Sequence, residues 1–159
     1  MRQGDLNSFE NSRRATLVQQ QCAIRNPRGF ARYDECCWGI TASDGPGMST
    51  HTADGVERVF YDYIARGAPV DPDGGTLAPS AVVGSLPFAP EIVLPTILNY
   101  ERMNLEAARA YGCKASFNPI FPARPKHGHG SVSPYNFCLN QGPIVLMIEN
   151  CHSAFLWSL

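Results

Sequence analysis

The run "NQGPIVLMIENCHSAFLW", Asn140 to Trp157, reads as one helix. Pro143 suits its N1 position, where a missing N–H costs nothing. From Pro143 onward the run is apolar on nearly every side, the mark of a helix buried among others. Working back, "PEIVLPTILNYERMNLEAARAY" predicts a helix from Pro90 to about Tyr111, stopped by Gly112. Glu91 in its first turn suits the positive end of the helix dipole. Val93, Ile97, Tyr100, Ala107 and Tyr111 fall near one face, while Pro95 removes one intrahelical bond and predicts a kink or a later start. "APSAVVGSLPFAPE" predicts a short helix with Pro79 at N1 and Pro87 at its end. A first helix is expected from Asn7 to Asn26, with Ser8 as N-cap and Ala15, Leu17, Val18, Cys22 and Ala23 giving partial helical periodicity. "RNPRG" stops it. No strand pattern of period two persists, so the expected class is all-α.

The 159 residues fit a single domain, with enough chain to bury a core. Thirteen basic and fourteen acidic residues leave a net charge of −1, which gives no electrostatic reason to expect nucleic acid or an anionic membrane as partner. The longest apolar run, "PIVLMI", is far short of the ~20 residues that span a bilayer. The first residues, "MRQGDLNSFENSRR", hold no apolar segment of the signal-peptide kind. Six cysteines, at positions 22, 36, 37, 113, 138 and 151, form no C-x-x-C pair. They read as thiols packed as small apolar residues, with disulfides left open.

Residues 30 to 79 are loop-rich, with "VERVFYDYIAR" as one short ordered piece. A connection of this length usually carries function. Within it, "DECCWGITASDGPG", Asp34 to Gly47, combines an indole, hydroxyls and carboxylates ahead of Gly-Pro-Gly. That is too polar for a core strand and too aromatic for an ordinary surface loop. Something flat and polar could bind there.

Four blocks resemble, in order and with similar gaps, the glycoamylase-like domain family: "WGITASDGPG", "GGTLAPSAVVGSLPFAPE", "FNP" and "NQGPIVLMIENCHSAFLW". This family includes the C-terminal module of cyclic β-1,2-glucan synthases and relatives that cleave β-1,2-glucan. The resemblance implies an (α/α)6 barrel with a cleft in the loops at one end. It makes Asn7–Asn26 and Pro90–Tyr111 outer helices, and Pro79–Pro87 and Pro143–Trp157 inner ones. A full barrel needs about twelve helices, and at ~10–14 residues each, 159 residues cannot close it. The chain, residues 1 to 159, is therefore expected to be the C-terminal portion of one such domain. Another chain could supply the missing helices.

The implied reaction is hydrolysis, or related transfer, at β-linked glucose. It needs two carboxyl groups across the bond, one protonating the leaving oxygen and the other acting as base or nucleophile. Glu35 and Asp44 are the expected cleft carboxylates. Trp38 is the expected stacking platform, with Thr41, Ser43, Asn118 and Gln141 contacting sugar hydroxyls. Gly45, Pro46 and Gly47 would stiffen the loop and let a ligand approach the backbone. Each residue also has a plainer reading: a turn-capping Asp44, a surface Glu35, a core Trp38, an Asn118 that starts a turn, a Gln141 that caps the last helix. Glu149 reads as a paired structural carboxylate. Relatives usually carry Asp where this chain has Asn140, and Arg where it has Cys151-His152. No cofactor is implied. His127-Gly-His129 with Cys138 has a spacing zinc could accept, but a Gly-rich tip does not preorganise it, so no metal is expected. The expected partner is a glucan or gluco-oligosaccharide. The parent domain would be periplasmic or secreted. The rival reading is a non-catalytic carbohydrate-binding or structural half-domain, and a third is a truncated product with an open apolar face.

Overall fold

The computed structural model describes residues 2–3, 6–53, 55–67, 72–105, 112–122 and 130–158. Helix α1 runs Ser8–Arg25. Its N-cap is Asn7, one residue before the expected Ser8, because the Asn7 carboxamide accepts from the Glu10 N–H. Asn26 closes it in the left-handed conformation, with its N–H on the Cys22 carbonyl. Helix α2 is Pro79–Val83, with proline in its first turn as expected. Helix α3, Pro90–Met103, starts at Pro90 with Pro95 inside it and ends at a left-handed Asn104. The expected continuation to Tyr111 lies outside the described residues, as do His127 and His129.

Helix α4 runs Cys138–Ser153, so Pro143 lies inside it rather than at its start. A 3₁₀ turn, Phe155–Trp157, follows, and Trp157 packs edge-on against Phe9 of α1. The expected burial of α4 is not observed. Only Ile144 and Asn150 are buried, while Leu139 is 74% and Val145 64% exposed. Glu149 is exposed as well, not a buried paired carboxylate.

The chain is not purely helical. Short antiparallel pairs join β1 (Arg2–Gln3) to β2 (Leu6–Asn7), and β5 (Phe117–Asn118) to β6 (Ser131–Val132). Strands β3 (Ser49–Ala53) and β4 (Val56–Phe60) form a hairpin, with Ala53 paired to Val56 and Gly55 at positive φ. "Asp-Gly" was the available signal for that turn. The alternation was missing because the hairpin buries only Ala53, at its turn end, and Phe60, at its open end.

The core forms around residues 34–40, gripped from two sides. From α1, the Gln20 side chain donates to the Glu35 carbonyl, and Gln19 accepts from the Ile40 N–H. From α3, Thr96 accepts from the Trp38 indole and Asn99 donates to the Cys36 carbonyl. The Tyr100 hydroxyl donates to the Trp38 carbonyl. The buried face of α1 is thus partly polar (Thr16, Gln20, Ala23), and Ala15 and Val18 are exposed. All six cysteines are free thiols, and burial pushes that of Cys37 up to about 12. Among the described residues no helix is long and apolar enough to cross a membrane.

Candidate active site

The loops that lead into α2 and α4 meet in one layer. Phe117 exchanges both backbone hydrogen bonds with Leu77, ahead of α2, and pairs on its other side with Val132. The Ala78 N–H donates to the Gly39 carbonyl, which docks the tryptophan stretch on the same layer. Asn140, in the first turn of α4, donates to the Ser80 hydroxyl at 3.2 Å and to the Ala115 carbonyl at 3.3 Å. An aspartate there could not donate to that carbonyl, so the amide suits this chain's own packing.

Asp44 sits in this layer, 9% exposed. Its Oδ2 accepts the Ser133 hydroxyl at 2.7 Å, and its backbone carbonyl accepts the Ser116 hydroxyl. Among the described residues, Oδ1 has no protein donor. Next to it, Ser43 is buried and its hydroxyl accepts from Arg66 Nε at 3.1 Å. The two other guanidinium nitrogens donate to the Asp73 and Asp62 carbonyls at 2.8 and 2.9 Å. Burial lowers the Arg66 pKa, against the opposing pull of Asp73, Tyr33 and Asp44. The Asp73 carboxyl accepts the Tyr33 hydroxyl at 2.8 Å, and burial raises its pKa despite that bond.

Gly45 has a packing role here. A Cβ on it would lie 2.2 Å from the Tyr61 carbonyl oxygen and 2.5 Å from the Arg66 guanidinium. The close approach is made by this chain's own backbone rather than by a ligand. Gly47 adopts φ +102° with open space around it, so there the conformation alone requires glycine.

The buried Asp73 has a consequence for pH. Its folded-state pKa is raised, so the folded chain keeps a proton that the unfolded chain has already released. Stability therefore falls as pH rises through the window just above the ordinary carboxylate range. Asp73→Asn cannot ionise, and it is expected to flatten the fall in Tm on going from about pH 4 to pH 7. Parallel Tm–pH profiles for the two proteins would overturn this assignment.

The other expected site residues are placed differently. Trp38 is fully buried and offers no ring face to solvent. Asn118 is 1% exposed, with its carboxamide committed to the Gly74 carbonyl, the Thr76 hydroxyl and the N–H groups of Ile120 and Phe121. It ties the turn after β5 to the loop before α2. Gln141 is half-buried and donates to the Cys113 carbonyl at 2.7 Å, and Thr41 is half-buried in the loop. Glu35 is exposed and lines a shallow recess of about 410 Å³ with Tyr33, Cys36 and Asn99. Among the described residues, no hydrogen bond joins its carboxylate to the Asp44 cluster. A larger cavity of about 570 Å³, between α2, α3 and residues 112–117, has Ile97, Tyr100, Leu105 and Phe117 among its walls. None of the site residues expected from the sequence lines it, whereas Ser116 does.

The sequence reading missed Arg66, Asp73, Ser116 and Ser133. Ser116 and Ser133 lie 72 and 89 positions from Asp44, and no local pattern could have linked them. For Arg66 the faint signal was a lone cation in a Gly- and Pro-rich loop.

Residues 2–159 match the model of the family Glycoamylase, described as "Putative glucoamylase". The chain belongs to this family. It is 31% identical over 154 residues to an exo-β-1,2-glucooligosaccharide sophorohydrolase (non-reducing end) of Parabacteroides distasonis, covering 96% of this chain and 18% of that protein. A crystal structure of β-1,2-glucanase from Parabacteroides distasonis superposes with a TM-score of 0.69 at 31% identity, over 96% of this chain and 19% of the other. A Bacteroides uniformis structure with the same description as the family gives 0.69 at 31% identity, over 90% of this chain and 29% of the other. The chain thus spans less than a third of each of these glycoamylase-family relatives.

Proposed function

We propose that this chain carries part of the sugar-binding loop layer of a domain that hydrolyses β-linked glucan, with β-1,2 linkages as the preferred class. The named activities of relatives 31% identical to it support the substrate class. The observation that carries the chemistry is Asp44. The fold fixes this carboxylate through Ser133 and its backbone through Ser116, yet among the described residues Oδ1 has no protein donor. Asp44 serves as the base or nucleophile of the carboxyl pair. Glu35 is the second proposed carboxylate. It is exposed and so can meet a substrate, but the fold holds its backbone rather than its carboxyl group.

The four helices are part of an (α/α)6 toroid, and the open face of α4 is where further helices of that domain pack. Leu139, Val145 and Leu146 are large apolar side chains of α4 that stay 74%, 64% and 49% exposed, and packed helices would cover them. Those helices would come from the same domain or from a second chain. A non-catalytic, carbohydrate-binding role is the second reading. It is favoured by one observation: among the described residues, no second carboxylate is fixed facing Asp44.

Asp44→Asn separates the readings. Reducing-sugar release from β-1,2-glucan is expected to fall by about 10²–10⁴-fold, the range for loss of an acid–base group, with oligosaccharide binding retained. Wild-type chain that binds β-1,2-gluco-oligosaccharides and cleaves none supports the binding role. A chain that neither binds nor cleaves them sinks both readings.

A further inference from the structure

The aromatic platform expected at Trp38 is absent there, yet the Asp44 cluster has another aromatic group at its edge. Tyr135 and Phe137 stack on each other, with ring centroids 5.6 Å apart and planes inclined by 27°. They are 55% and 37% exposed and lie outside the core cluster. Exposed rings of this size are usually unfixed. Here the Tyr135 backbone is pinned at both polar atoms: its N–H donates to the Ser133 hydroxyl at 3.3 Å, and its carbonyl accepts from the Ala115 N–H at 3.1 Å. Lys114 Nζ adds a bond to the Pro134 carbonyl at 3.0 Å and one to Asn136 Oδ1 at 3.3 Å. The same Ser133 hydroxyl that receives the Tyr135 N–H donates to Asp44 Oδ2. One side-chain oxygen therefore sets both the carboxylate and the ring two residues on.

We propose that Tyr135, backed by Phe137, is the platform on which a glucose unit of the substrate stacks beside Asp44. This rests on the glucan reading given above and names the subsite within it. A pyranose in the β configuration presents a flat face of axial C–H groups, which a preorganised aromatic ring matches, while the phenol hydroxyl can bond a sugar hydroxyl. Phe137 holds one face of Tyr135 and stiffens it, so little rotamer entropy is lost on binding. The pair precedes α4, at the end where Asn140 meets Ser80 and Leu139 is exposed, whereas Val145 and Leu146 lie farther along.

The test is calorimetric titration of the full chain with a β-1,2-linked glucotriose, with sugar proton shifts read by NMR. Tyr135→Ala and Phe137→Ala are expected to weaken binding by about tenfold, and Tyr135→Ala to abolish the upfield ring-current shifts. Tyr135→Trp, which keeps a stacking face, is expected to retain both. Thermal melts unchanged by the substitutions separate the platform from a merely structural role. Equal affinity for wild type and Tyr135→Ala overturns the platform and leaves the glucan reading standing. So does a Tyr135→Ala change in self-association without one in affinity, which would make the pair a packing surface for other helices. If the wild-type chain binds no β-linked gluco-oligosaccharide, the platform and the glucan reading fall together.

Discussion

Arg66→Met is expected to lower the stability of the chain by about 3–5 kcal/mol, through the loss of three hydrogen bonds donated by one buried guanidinium. The methionine keeps most of the apolar stem and its packing. It removes the donor to the buried Ser43 hydroxyl and to the Asp62 carbonyl, and leaves the Asp73 carbonyl only a 3.5 Å bond from the Thr76 N–H, at about 1–3 kcal/mol for each buried acceptor left unpaired. Relief of the buried charge offsets part of this, since burial already lowers the Arg66 pKa. For a chain of this size the loss corresponds to a Tm lower by about 6–20 °C. Arg66→Lys should recover little, because one ammonium cannot reach three acceptors set around a planar fork. The same three bonds hold the segment beside Asp44, so any sugar affinity should fall with the stability. Chemical unfolding followed by circular dichroism measures the effect. A Tm within about 2 °C of wild type would show that solvent reaches these acceptors and that Arg66 is not a clamp.

The starts of α1, α2 and α3 were legible because their signals are local. Pro79 and Pro90 open α2 and α3, and the Asn7 and Asn26 caps lie within a residue of the expected ends of α1. The family was legible too, since its four blocks survive in order. The state of α4 was not. Its apolar residues read as a buried helix, yet among the described residues little packs against them, and α4 is largely exposed. The hairpin escaped notice for the opposite reason: with a single buried residue per strand, it has no alternating pattern to read. Asp44 stood out as a candidate from "SDGPG", and Tyr135 did not. "SVSPYNF" reads as an ordinary loop until Ser133 is seen to join Tyr135 to Asp44, and that link depends on contacts 89 positions apart.

Trp38 shows how a residue type can be right for a chemistry and still not perform it. An indole beside a Gly-rich polar loop fits a sugar platform, but the fold buries it in the core, bonded to α3. It is 0% exposed, its N–H donates to Thr96 at 2.8 Å, and its carbonyl receives the Tyr100 hydroxyl. Trp38→Ala is therefore expected to cost about 3–5 kcal/mol, as for other buried large aromatics, through lost apolar burial and the cavity left in the core. Trp38→Phe keeps most of the volume and loses one hydrogen bond. Thr96 loses only an incoming donor, since its own hydroxyl still donates to the Ile92 carbonyl at 2.8 Å. The phenylalanine variant should thus cost about 1–2 kcal/mol. Sugar titration of this milder variant separates the two roles. In a core role Trp38→Phe shifts the melt and leaves affinity for β-1,2-gluco-oligosaccharide unchanged, whereas Tyr135→Ala does the reverse. If instead Trp38→Phe cut affinity by tenfold with no change in Tm, the indole would have to reach the ligand. The loop from Asp34 to Gly47 would then have to open in solution to expose it.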